Sequence, residues 1–407
     1  MAIKSLTVAA IVGAASSGAV IPQLPAANGG SVTINAYHPG DLVAPYGMNF
    51  DVTVSGFNVT PNTGLGYDPA HNELDYIWEV SQMDLWLYPS WNPIPNVFRN
   101  RNLQFGPRCG LCIDQTGTFT LTLWVRDRAG TIGVSSVQFT IQDPAALYPG
   151  AQTGVFSMAS DFSGKPTGAT ELSTVAEGNT FLQGATTANQ RRVLFRRGES
   201  FALDGAIDAS VGTGGNGRIG SSDEFGTVGV RPTVTSAFVN PNYLPIFDIG
   251  NSGNMTYHDL ILRPHGGGSN PRELTGVNVE TPIRMSYGSA GDPPYYLWHN
   301  LDMSNFSGHV YNAASGAHRV VMSNVLCKEW GGTGGGGYGL FWDRVDQASR
   351  GAMLGCAWLQ APDARDDAGM GALRDEQGIN FHAHGCYYFS RSAAGGFAGF
   401  HQPAVRT

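Results

Sequence analysis

Two hydrophobic patterns divide the chain. Between residues 31 and 142, apolar and polar residues alternate in short runs: Ser31-Val-Thr-Ile-Asn-Ala-Tyr37, Asn49-Phe-Asp-Val-Thr-Val-Ser55, Leu74-Asp-Tyr-Ile-Trp78 and Gly117-Thr-Phe-Thr-Leu-Thr-Leu123. A period of two is the signature of a half-buried strand. Phe119, Leu121, Leu123 and Val125 share one face, Trp78 is placed inward, and Asp127-Arg-Ala-Gly130 predicts a turn into a last strand. Several short strands with turn signals predict a β-sandwich over residues 31–142.

From about residue 171 the pattern changes to repeated blocks. Each has an alternating strand, then a small or polar residue, then another apolar pair. Arg191-Arg-Val-Leu-Phe-Arg-Arg-Gly-Glu-Ser-Phe201 opens the series. Asn254-Met-Thr-Tyr-His-Asp259, Tyr296-Leu-Trp-His-Asn300, Arg319-Val-Val-Met-Ser-Asn324, Gly351-Ala-Met-Leu-Gly355 and Ile379-Asn-Phe-His-Ala-His-Gly385 follow. Corners are predicted at Asp259, Asn300, Asn324, Gly355 and Gly385, and the gaps between them are 41, 24, 31 and 30 residues. Such spacing fits a solenoid whose coils carry insertions. Asn, Asp and Gly suit corners because they tolerate left-handed backbone geometry. The Gly-rich stretches 212–217, 266–268 and 331–337 are then loops leaving the coil. Residues 143–170 are rich in Pro, Gly and Ser and predict a linker.

Composition narrows the class. Charged residues are 14% of the chain, Gly is 55 of 407 residues, and Lys occurs only at Lys4, Lys165 and Lys328. That is sparse charge for an ordinary globular protein and suits a β-rich extracellular one. With net charge −8 and no Lys/Arg run, a nucleic-acid groove is not expected. Residues 1–30 begin with one Lys, a short apolar stretch and small residues. They predict either a secretory signal peptide or a retained arm that docks on a partner. The apolar stretch is too short to span a membrane.

Five cysteines are present. Cys109-Gly-Leu-Cys112 is a lone CxxC, open to a local disulfide, a redox pair, half a metal site or an incidental pairing. Cys356 and Cys386 directly follow predicted corners, so they are expected to stack inward in adjacent coils; Cys327 lies three residues past its corner. These three are expected to be buried thiols acting as small hydrophobes, with a disulfide between neighbouring coils as the alternative.

Two resemblances follow from these residues. The Tyr76-x-Trp78 strand with Gly117-Thr-Phe-Thr-Leu-Thr-Leu and Asp127-Arg-Ala-Gly130 resembles the PKD domain, an Ig-like module, although Glu79-Val-Ser-Gln replaces the usual Phe-Gly-Asp-Gly. A long insert with Trp86, Tyr88, Trp91 and Pro93 follows, suited to sugar stacking or to local packing. Val193-Leu-Phe-Arg-Arg-Gly-Glu-Ser-Phe201 and the later blocks resemble the pectate-lyase-like superfamily. That resemblance implies an all-β chain: an Ig/PKD-like sandwich, then a right-handed parallel β-helix over residues 171–407. Members include polysaccharide lyases, glycoside hydrolases, phage tailspikes and adhesins, so the fold alone does not choose a function.

The chemistry expected from the resemblance is of three kinds. A lyase needs a base, for which Lys328 and Arg344 are candidates, with a Ca²⁺ site assisting. A hydrolase needs two carboxylates, drawn from Asp343, Asp346, Asp375 and Glu376. A glycan platform needs exposed aromatics, and Trp330, Tyr338 and Trp342 flank a Gly-rich loop, whereas Trp298 and Trp358 are expected inside the coil. His382 and His384 lie two apart on one strand face, a spacing that suits a shared metal. The leading expectation is a non-catalytic, glycan-recognising spike or adhesin, extracellular or on a virion surface, binding a polysaccharide or cell-surface glycan. It would attach to its virion or surface structure through its N-terminal region. A tailspike-like protein would be a homotrimer, yet no trimerisation unit is visible at Ala404–Thr407. The alternatives are a secreted polysaccharide lyase or glycoside hydrolase, and a purely structural decorating protein.

Overall fold

The computed structural model describes residues 25–40, 42–61, 69–80, 103–186, 188–208, 211, 215–236, 238–239, 242–243, 245–249, 253–264, 282–285, 294–306, 311–313, 319–330, 340–342, 350–360, 373–375, 380–384 and 386–389. The chain is mostly β-strand. It divides into two compact units: residues 1–36, 50–109 and 118–140 in the first, and residues 37–49, 110–117 and 141–407 in the second.

In the first unit, Leu74–Val80 pairs antiparallel with Leu103–Phe105 and with Gly117–Asp127, and Ile132–Ile141 completes that four-stranded sheet. Trp78 is buried opposite Leu123, lies against Phe50 at 6.3 Å between ring centroids, and donates its indole N–H to the Gly106 carbonyl. The predicted turn forms: Asp127 accepts from the backbone N–H groups of Thr131 and Asn58, and Gly130 takes φ +90°. A Cβ is disfavoured at that angle, which explains the glycine.

The second unit contains three parallel sheets, here named A, B and C. Sheet A has nine strands, B seven and C six. From Arg191 onward the chain visits them in a fixed order. Arg191–Phe195 lies in A, Ser200–Ala202 in B and Ile207–Asp208 in C; Asn216–Gly220 then returns to A beside the first strand. The cycle continues to Asn380–His384 in A and Tyr387–Phe389 in B. Within 143–170, Thr153–Phe156 pairs parallel with Arg191–Phe195 and is itself part of sheet A. The helix Val175–Gln183, with a capping box between Thr174 and Glu177, adds Val175, Phe181 and Leu182 to the same apolar core.

The corners between sheets A and B fall where the sequence predicts. Asp259, Asn300, Asn324 and Gly355 have φ +57°, +52°, +57° and +61°; Gly385 lies outside the described residues. The side chains also link. Asn300 Nδ2 donates to Asp259 Oδ1 at 2.5 Å, and Asn324 Nδ2 donates to Asn300 Oδ1 at 3.0 Å. The residues after these corners, Leu260, Leu301, Val325, Cys356 and Cys386, all join the core.

Across its middle strands, from Asn216–Gly220 to Arg350–Leu354, sheet A is buried on both faces. Met255, Tyr257, Tyr296, Trp298, Val320, Met322 and Met353 fill the inner side. Alternation sends Arg218, Thr256, His258, Leu297, Val321 and Ala352 outward, and these are buried too. Segments 37–49 and 110–117 supply the cover. A Cβ on Gly47 would lie 2.9 Å from Leu297 Cδ1 and 3.0 Å from Val321 Cβ, and one on Gly110 would clash with Ala352. Arg218 donates to the Val43, Ala44 and Pro45 carbonyls at 3.2, 2.8 and 3.0 Å. Asn49 Nδ2 donates to the Val320 carbonyl, and Arg319 and Arg350 stack on the Tyr37 ring. A double-sided burial of parallel strands is the usual state of such sheets.

Candidate functional site

The residues expected to carry glycan chemistry are spread over the last coils. Lys328 lies in the sheet B strand Leu326–Trp330, exposed beside exposed Glu329, which takes φ +56°. The strand's register shifts between Lys328 and Trp330. Trp342 ends the sheet C strand Leu340–Trp342, and its register partner in the next coil is Asp375. Residues 331–339 run from Trp330 to Leu340, and Trp342 stands two residues further on, at the far end of the sheet C strand. Tyr338, Asp343, Arg344, Asp346 and Glu376 lie outside the described residues. His382 and His384 sit on the sheet A strand Asn380–His384, in register with Ala352 and Leu354. Among the described residues, no three His, Cys, Asp or Glu side chains are grouped to hold a metal ion. Trp298 and Trp358 are fully buried, as expected of inward positions.

The CxxC takes an unexpected form. Cys109 and Cys112 stand on one strand, Arg108–Ile113, three residues apart. Alternation turns them to opposite faces, and about 10 Å of strand separates their Cα atoms, beyond disulfide reach. All five cysteines are free thiols. Cys112 instead meets a partner far along the chain: its Sγ lies 3.4 Å from His299 Nδ1. The local disulfide and the redox pair are thereby set aside.

His299 is the centre of a polar cluster at the corner end of sheet A. Its Nε2 is 4.0 Å from Asp114 Oδ2. Its register partner His258 hydrogen-bonds through Nδ1 to Asp259 Oδ2 at 2.9 Å. A carboxylate only accepts, so His258 carries its proton on Nδ1. Arg197 approaches Asp259 at 4.0 Å while binding Asp223 and Ser221. These charges shift titration. Burial lowers the pKa of His258, more than Asp259 raises it. Burial also works against the His299 cation, but the Cys112 sulfur, Asp259 and Asp114 outweigh it and push His299 up to about 9. Asp259 is held well below the usual carboxylate range: burial opposes this, but His258, the charge of His299 and the Asn300 hydrogen bond prevail.

No family model, curated protein or solved structure matches the chain.

The cluster therefore has to be understood from its own geometry. A thiol, an imidazole and a carboxylate lie in sequence, the arrangement that moves a proton to and from sulfur. Sequence reasoning did not single it out, because Cys112 and His299 are 187 positions apart. A signal was present: His258 and His299 each stand immediately before a corner residue, on the same face of consecutive coils. A second ionic group lies on sheet B. Arg263 grips Asp302 bidentately at 2.9 and 2.8 Å, and Ser304 donates to the same carboxylate. Every group in it is matched to a partner, which marks a structural clasp.

Proposed function

We propose that residues 153–389 form a right-handed parallel β-helix of the pectate-lyase-like kind, preceded by an Ig/PKD-like domain, and that the protein is a non-catalytic, glycan-recognising spike or adhesin. The fixed visiting order of sheets A, B and C supports the β-helix, since consecutive parallel strands in one sheet are joined by right-handed crossovers. The observation that carries the function is the connection 331–339. The chain leaves sheet B at Trp330, just past a register shift, and enters sheet C at Leu340-Phe-Trp342. Irregular strand ends re-aim side chains, and paired aromatics at one loop suit the apolar faces of sugar rings. Tyr338 falls within 331–339 in the sequence. A surface of low charge and net charge −8 favours neutral glycans over strongly anionic ones. Lys328 is exposed beside exposed Glu329.

The reading places the protein outside the cell or on a virion, with a polysaccharide or cell-surface glycan as ligand. Among the described residues no helix is long and apolar enough to cross a membrane. The test is retention on a panel of immobilised polysaccharides. The intact protein should bind at least one without releasing unsaturated or reducing ends. Trp330→Ala with Trp342→Ala should weaken retention by about 1–3 kcal/mol, since each stacked ring contributes roughly 0.5–1.5. Unchanged retention in the double variant removes the platform, and new chain ends overturn the non-catalytic reading.

A further inference from the structure

We infer that Cys112 is a nucleophilic sulfur served by His299, at a site that takes small hydroperoxides and is oxidised to a sulfenic acid. This goes beyond glycan recognition and does not depend on it.

Three observations converge. First, Cys112 Sγ is 3.4 Å from His299 Nδ1, within sulfur hydrogen-bond reach. Second, the other cysteines are different in kind. Cys327 and Cys356 are fully buried, Cys109 is nearly so, and burial pushes all three thiols up, away from the reactive thiolate. Cys386 packs against the apolar core and donates to the Met353 carbonyl. Third, the Cys112 site adjoins the surface. Asp114, just past the end of the Arg108–Ile113 strand, has 56% of its side chain exposed and lies 4.0 Å from His299. Cys112 itself is 6% exposed, against 0–1% for Cys109, Cys327 and Cys356.

The groups facing His299 explain its role. Asp114 and Asp259 are anionic, His258 spends its proton on Asp259, and Arg197 and Arg218 are occupied by Asp223 and by the 43–45 carbonyls. Two nearby carboxylates thus favour the protonated imidazole of His299, whose Nδ1 is 3.4 Å from the Cys112 sulfur. In the reaction, sulfur attacks the distal oxygen of ROOH. The S–O bond forms as the O–O bond breaks, and the leaving alkoxide takes the proton that the pair shared. The products are Cys112–SOH and ROH; sulfur is oxidised by two electrons and the peroxide reduced by two.

The experiment is exposure of the intact protein to limiting hydrogen peroxide, with oxidation of each cysteine followed by peptide mass spectrometry. Exposure alone ranks Cys386, which is half-buried, first. The inference ranks Cys112 first, about tenfold or more ahead of the other four. His299→Gln should slow Cys112 oxidation by about tenfold or more while leaving Cys386 unchanged, as loss of a positioned acid–base group does. Cys386 or any other cysteine leading in the wild-type protein overturns the inference. So does a folded His299→Gln protein in which Cys112 keeps its rate. Should that variant fail to fold, the wild-type ranking decides alone.

Discussion

The two faces of the middle strands of sheet A are both buried, yet they are built differently. On the inner face the coil covers itself, and the residues are apolar: Tyr257, Tyr296, Trp298, Val320, Met322. On the outer face the cover comes from residues 37–49 and 110–117, and the buried set includes Arg218, His258 and Ser323. A solenoid interior is closed by neighbouring coils and can be purely hydrophobic. A face closed by strand ends and the loops beside them must also satisfy the backbone groups of those loops. Arg218 does this for three carbonyls, and Asn49 answers one in return. Buried polar groups there are structural obligations that also create chemistry, since they leave His299 beside a thiol.

That contrast can be sharpened by experiment. The largest effect should follow pH. The folded-state pKa of His299 lies above its ordinary value, so its contribution is complete below pH 6.5 and is lost as pH rises through about 9. Chemical unfolding across that window should show a loss of a few kcal/mol, and His299→Gln should flatten it. A wild-type stability that stays level from pH 6.5 to 9 removes the charged cluster from the account. Next is Gly47→Val, whose side chain would strike Leu297 and Val321. Overpacking of this kind costs about 1–3 kcal/mol; a neutral result would place segment 37–49 off the sheet. The smallest effect belongs to the corners. Asn300→Ala breaks both links of the Asp259–Asn300–Asn324 ladder and should cost about 1–2 kcal/mol in thermal unfolding.

The inner face and the corners were legible in the sequence. Left-handed backbone at Asp259, Asn300, Asn324 and Gly355 admits few residue types, so composition at a fixed point in each block discloses the turn. Trp298 and Trp358 followed from alternation alone. The outer face was not legible. Its strands read Thr-Tyr-His and Leu-Trp-His, which a period of two assigns to solvent on one side. What buries that side lies some 175 residues away in the case of Arg218. Contacts at such range leave no local periodicity. The same holds for Cys112, whose spacing to Cys109 drew attention to the wrong pair. Of the residues proposed for glycan binding, the fold places Trp330 at the end of a sheet B strand and Trp342 at the end of the sheet C strand that follows.

Neighbouring residues on one strand offer the most direct test. Trp298 faces inward and Leu297 outward, at 0% and 1% exposure. Trp298→Ala should cost about 3–5 kcal/mol on any reading of the fold. Leu297→Ala separates the readings when its unfolding free energy is measured in denaturant. If residues 37–49 and 110–117 close the outer face into a second interior, the variant loses about 2–4 kcal/mol. A change within about 0.5 kcal/mol, as at an ordinary surface position, would contradict the account.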